Sequence, residues 1–285
     1  MRRKAVHHLF RLATGVCAAA ACGVFFLIVW AIASRGWAAL SWRFFTEQIR
    51  LVGADGGIFY NLLGTLILLA TALAASAPTA TALALLHGVY LRHHPRPRRL
   101  LTLALTVLNG VPSILFGIFG LIVFVQWLGW GKSWLTGGLL LGFMILPTVT
   151  VSLMERIAGL PARYLEAAAG LGLTQSQIVR SVILPQSVGG LVTGSLLGLA
   201  RAAGETAPIM FTATIFAGAT VPNGIKENPV LSLPYHIFVL AQDSFDPAVG
   251  AKVWGTALVL LGVVFALSLL ALPVRLKAHE EAREG

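Results

Sequence analysis

The chain has 285 residues, 57% of them hydrophobic and only 11% charged, with a formal net charge of +10. A water-soluble domain carries about 25% charged residues, so the composition excludes an ordinary soluble enzyme or binding domain. The basic excess does not indicate nucleic acid either, because no stacking aromatics or groove-reading motif accompany it.

The first uncharged run covers residues 12–34. It exceeds the roughly 20 residues a helix needs to cross hydrocarbon, and the first span is expected at 12–33. "MRRK" before it and "AIA" at 31–33 imitate a cleavable secretory signal. Signal cores are about 7–15 residues long, so a retained span is expected. Cys17 and Cys22 lie five apart inside it, without metal-ligand spacing, and read as small packing residues. Residues 34–57 then form a loop.

The run 56–91 predicts a second span at 58–86. It has the length for two short crossings split at Pro78, but a second crossing would spoil the charge asymmetry described below. One long helix kinked at the proline is expected. The run 100–131 predicts a third span at 101–125, with a polar break at Asn109, Pro112 and Ser113. A kink in a single helix is expected, with Pro112 freeing a carbonyl for Asn109 or Ser113 to satisfy; alternatively these side chains face a pathway. "GWGKSW" follows and imitates a nucleotide-binding loop, but position 126, where that pattern needs glycine, is Gln126. The fourth span is expected at 137–154.

Residues 155–187 form the longest loop between spans on their side. Good helix formers run from Ala162 to Ala169, Gly170 and Gly172 break the helix, and a second apolar stretch is expected to close at Pro185. The fifth span, 188–217, carries small residues four apart at Gly190, Gly194, Gly198 and Ala202, which let another helix approach closely. Arg201 and Glu205 interrupt it, flanked by uncharged stretches at 181–200 and 206–225. Four apart, they share a helix face and partly neutralise each other. Arginine inside a membrane faces protein or water, so the pair either holds the bundle together or borders a path. The sixth span is expected at 253–273.

With the N-terminus inside, the cytoplasmic segments hold 14 Lys or Arg and the outer segments 6, leaving Arg201 in the membrane. The positive-inside rule therefore sets both termini in the cytoplasm. Alternating strand patterns are absent, so the fold class is all-α, a polytopic membrane protein of about six helices. No H-E-x-x-H, G-x-S-x-G or C-x-x-C occurs. No catalytic residue, metal site or resident cofactor is expected.

Residues 155–187 contain Glu166-Ala167-Ala168, Gly172 six residues after Glu166, and Val182-Ile183-Leu184-Pro185. This resembles the EAA motif of binding-protein-dependent ABC importer permeases, departing only in Val182 for isoleucine. The resemblance implies a type I importer permease fold over 58–275, with 1–57 as an N-terminal addition and 276–285 as a tail. It implies that Glu166, Ala167, Ala168, Gly172, Leu184 and Pro185 couple to a cytoplasmic ATPase. "LNGVPSILFGIFGL" (108–121), "ARAAGETAPIMFTAT" (200–214) and "LSLPYHIF" (231–238) resemble the PstA-type permease of phosphate-specific importers.

That family implies a second, PstC-type permease, two copies of a PstB-type ATPase that bind the ATP, and a periplasmic PstS-type phosphate-binding protein. Location in the bacterial inner membrane, among lipid, follows. The outer segments 34–57 and 218–252 would receive the binding protein. Arg201, Glu205, Asn109 and Ser113 are the candidate path residues, because a guanidinium offers paired donors to an oxyanion. Permeases for molybdate or sulfate, a membrane-embedded enzyme and a stand-alone channel are the rival readings.

Overall fold

The computed structural model describes residues 2–50, 55–243 and 247–284. Among these, five helices have the length and apolarity to cross a membrane, and a bent helix pair supplies a sixth crossing.

Helix α6 (Trp134–Ala158) is the centre of the bundle. Leu140, Leu141, Met144, Ile145 and Val149 on it are almost wholly buried. It runs parallel to α3 (Phe59–Leu85): Gly138 meets Thr71, Gly142 meets Ala72 and Ala75, and Gly88 beyond α3 meets Ile157. Against α9 (Leu184–Ala203) it runs antiparallel. A Cβ added at Gly194 would stand 2.8 Å from that of Ser152, and one at Gly198 would stand 3.1 Å from that of Ile145. The small-residue ladder of the fifth span thus packs on α6, as its spacing predicts. A second ladder, Gly137, Gly138 and Gly142, escaped the sequence reading because α6 is apolar on every side. Threonine hydroxyls along these helices donate to carbonyls four residues back, as at Thr65, Thr71 and Thr150, so they enter the apolar interior satisfied.

Helix α1 (Arg2–Gly36) lies outside this core and packs on α12 (Pro247–Glu284). Phe25 meets Phe265 edge-on, and the Arg35 guanidinium lies 4.8 Å over the Trp254 ring. Cys17 and Cys22 are free and exposed. After α1 come a short helix α2 (Trp42–Thr46) and a two-residue antiparallel pair, β1 (Ile49–Arg50) with β2 (Asp55–Gly56). All seven tryptophans fall at this end of the bundle: 30, 37, 42, 127, 130, 134 and 254. Trp37, Trp42 and Trp127 are strongly exposed, the arrangement of an interfacial aromatic belt.

Three expectations change. The third span is broken rather than kinked: α4 (Pro95–Gly110) and α5 (Ser113–Gly120), which continues to Trp127, meet at 94°. Val111 and Pro112 are extended there, so proline ends one helix and starts another. The pair still crosses, because α4 begins beside His87 below α3 while its far end leads to Ser133, which caps α6. The fifth span is also broken. Its helix stops at Ala203 and resumes only as α10 (Ala207–Thr212).

The third change is that Pro185 closes nothing. Helix α8 (Gln175–Ile178) runs through a π-helical stretch, Val179–Ile183, straight into α9. The widened turn accommodates a residue that lacks an N–H. Asp246 of the expected outer loop lies outside the described residues.

Candidate functional site

The two broken spans meet at their breaks. In α9 the last turn ends on Gly204, whose N–H donates to Arg201 O, and Glu205 N–H donates to Ala202 O. Pro208 has no N–H to continue the ladder and fits instead in the first turn of α10. In the other span, α4 stops at Gly110 and α5 starts at Ser113. Helix α5 packs on α10 so closely that a Cβ on Gly117 would lie 2.8 Å from Ala207 O.

Across this junction, Arg201 Nη1 donates to Asn109 Oδ1 at 3.1 Å. Arg201 Nε lies 3.9 Å from Glu205 Oε1, with side-chain exposures of 38% and 18%. That separation is well beyond the 2.7–2.9 Å (approximately) of a tight charge-assisted bond. At that separation the pair gains no short, direct hydrogen bond. The guanidinium is therefore held in place but weakly neutralised, and an incoming oxyanion can compete for its donors. The structure joins Arg201, Glu205 and Asn109 in one cluster. No hydrogen bond ties Ser113 to them; it stands at the first turn of α5, half-exposed.

Lys132 adds a contact that the sequence does not signal. Its Nζ donates to Met210 O at 3.0 Å, closing the carbonyl end of α10. The partners are 78 residues apart, and no local pattern links them.

The segment from Pro161 forms the other candidate site. Helix α7 (Ala162–Gly170) turns back at Gly172, where φ is +75°. Leu173 N–H donates to Ala168 O and Gly172 N–H to Ala169 O, a closed helix end of the kind glycine favours. Thr174 and Gln177 then form a reciprocal capping box that starts α8. Ala168 is buried, and Leu165 and Ile178 pack on Ile157, Val179 and Ile183. Glu166, Ala167 and Gly172 are exposed at the tip, with Leu171 beside them at 81% exposure. Leu184 and Pro185 stand at the root, where α9 begins, away from this tip.

Residues 77–276 match the family described as binding-protein-dependent transport system inner membrane component. The phosphate transport system permease protein PstA 2 of Mycobacterium tuberculosis is 30% identical over 271 residues, covering 94% of this chain and 87% of that protein. The probable PstA of Methanocaldococcus jannaschii is 33% identical over 218 residues, covering 75% of this chain and 74% of the relative. Among solved structures, the inward-facing MetNI methionine ABC transporter aligns with a TM-score of 0.53 at 15% identity. It covers 80% of this chain and 94% of that one, a likeness of fold.

Proposed function

This chain belongs to the binding-protein-dependent transport system inner membrane components, and from that premise we propose that it is the PstA-type permease subunit of an ATP-driven importer of inorganic phosphate. It forms half of the path, completed by a PstC-type permease. The α7 tip docks into a PstB-type ATPase that binds and hydrolyses the ATP, and the chain carries no catalytic site of its own. The tryptophan end faces outward to receive a PstS-type binding protein, and both termini are cytoplasmic. Support for this orientation comes from the 14-to-6 distribution of basic residues.

The observation that carries the reading is the meeting of two interrupted spans at Arg201, Asn109 and Glu205. Helix breaks inside a membrane persist where they line a cavity or site. A single guanidinium offers a planar fork to phosphate, and one cation binds weakly enough to release it. Glu205 and Asn109 hold the fork while the path is empty. Opening then alternates between two states biased by ATP at the partner subunit.

Arg201→Gln in the assembled importer tests this. We expect intact ATPase association and uptake of labelled phosphate reduced to background, with Arg201→Lys recovering little because charge returns without the fork. Normal transport by Arg201→Gln removes the path assignment, and failure to assemble assigns Arg201 to structure instead. The residues around 108–121 and 201–208 favour phosphate over molybdate or sulfate. Strong competition of uptake by either anion would replace phosphate as substrate.

A further inference from the structure

We propose that residues 90–99 and the outer face of α4 form a docking site for the headgroup phosphates of anionic phospholipids. Between Asp55 and Glu155 the sequence contains no acidic residue, yet "RHHPRPRR" places Arg92, Arg96, Arg98 and Arg99 within eight positions. Arg92, Arg96 and Arg99 are exposed, and none forms an ion pair among the described residues. Arg96, Arg98 and Arg99 also sit in the first turns of α4, where the helix dipole repels cations and welcomes anions. An external anion lying against it would relieve that repulsion.

The packing of α4 specifies which anion. Arg96, Leu100, Leu103 and Val107 recur at helical spacing on one face, and all four are exposed, the three apolar ones at 66%, 57% and 60%. The opposite face carries the buried Leu105. An exposed apolar stripe on a spanning helix meets acyl chains, so the arginine above it stands at the depth of the headgroups. Half-exposed Tyr90 adds an amphipathic ring at the same level.

The patch is also held in place. His87, nearly buried in the π-helical stretch Leu86–Tyr90, accepts from Arg98 Nε at 3.3 Å, and Thr102 Oγ1 lies 3.2 Å from the same nitrogen. Arg98 thus pins the start of α4 to the end of α3, while its neighbours point away from the protein. A free phosphate ion would need the charges but not the stripe; a lipid uses both.

The test is lipid selectivity of the full chain in nanodiscs, with spin-labelled phosphatidylglycerol and phosphatidylcholine as probes. The wild type is expected to immobilise phosphatidylglycerol in preference. Replacing three exposed cations, R92Q/R96Q/R99Q, is expected to lower that preference at least ~5-fold, about 1 kcal/mol in total after screening. Arg98 is left in place, and the corresponding triple lysine variant is expected to keep the preference. Should the glutamine variant not insert, raising salt from ~0.05 to ~0.5 M must abolish the wild-type preference, since exposed charges are screened.

No wild-type preference, an unchanged preference in the glutamine variant, or insensitivity to salt overturns the proposal. So does displacement of the labelled lipid by inorganic phosphate at constant ionic strength, which would assign the patch to the free ion. Loss of ATPase binding with lipid selectivity intact would assign it to a protein partner. No transport is measured, so this proposal and the importer reading fail separately.

Discussion

At the tryptophan end, segments far apart in sequence are tied to one another through their backbones, whereas the α7 end stands out from the bundle on a single apolar face. Ser133 N–H donates to Thr212 O, Trp134 N–H to Asn228 O and Glu227 N–H to Trp130 O, while Thr214 pairs in parallel with Val230. Side chains add Lys132 to Met210 O, Lys252 to Gly56 O and Thr65 Oγ1, which accepts from Leu233 N–H. At the other end, α7 buries only Ala168, and its tip exposes Glu166, Ala167 and Leu171. A network of this kind resists local opening, and a projecting knob is suited to receive force. The breaks at Asn109–Ser113 and Ala203–Ala207 lie between them.

The largest expected effect comes from the projecting end. Gly172 has φ +75° and no neighbour within 4 Å of an added Cβ. Gly172→Val therefore meets no clash outside its own backbone. The strain, at least about 1–2 kcal/mol, is relieved by re-aiming α7. We expect normal insertion with uptake reduced to background, read by transport and by co-purification of the ATPase. Gly170→Ala, which also has open space but no positive φ, should transport nearly as the wild type. Equal loss in both variants would mean that the tip tolerates no side chain, and that its angle is not what matters.

The stitched end holds a buried titratable group. His236, in α11 (Leu233–Leu240), is 2% exposed and stacks on Phe216 at 5.9 Å, and its Nδ1 has no hydrogen-bond partner among the described residues. Burial, and secondarily the positive charge of Lys252, lower its pKa from 6.5 to about 4. The unfolded chain therefore takes up the proton first as pH falls. The stabilising contribution is complete above about 6.5 and is lost as pH drops towards about 4.

The full swing is on the order of 3 kcal/mol. His236→Phe, which keeps the ring stack, should flatten the difference in thermal stability between pH 7 and pH 4.5. The difference between variant and wild type isolates His236 from carboxylates that titrate nearby. A parallel decline in both proteins would show that protonation at 236 costs the folded state nothing.

Sequence legibility follows the same division. The crossings, the Gly190–Gly198 ladder and the turn at Gly172 were readable because each depends on residues close in sequence: an apolar run, a four-residue period, a glycine past a helix. Arg201 and Glu205 were readable as misfits in an apolar segment, but their junction with Asn109, 92 residues away, was not. Composition gives the length of the third span's apolar run and not its direction, so it predicts a kink where the chain breaks by 94°. A π-helical turn leaves no signature in residue type, so Pro185 looks like a stop in the sequence and is not one in the structure. Nothing local announces the network at the tryptophan end, since most of its donors and acceptors are backbone groups.

The smallest expected effect probes that network directly. Trp134 Nε1 donates to Gly224 O at 2.8 Å, joining the start of α6 to the loop that precedes Val230. Trp134→Phe keeps most of the apolar contact and removes one neutral hydrogen bond, worth about 1 kcal/mol. Gly224 O sits in a loop with exposed neighbours, so water can replace the lost donor and limit the cost. Several other bonds still hold α6 to the 212–230 segment, among them those of Ser133 and Trp134 N–H. The variant should therefore lose stability by about that amount and leave uptake and ATPase association unchanged. If instead Trp134→Phe abolished uptake at unchanged stability, the tryptophan end would be a moving part of the cycle and not its frame. The contrast between the two ends would then have to be redrawn around the loop at 218–229.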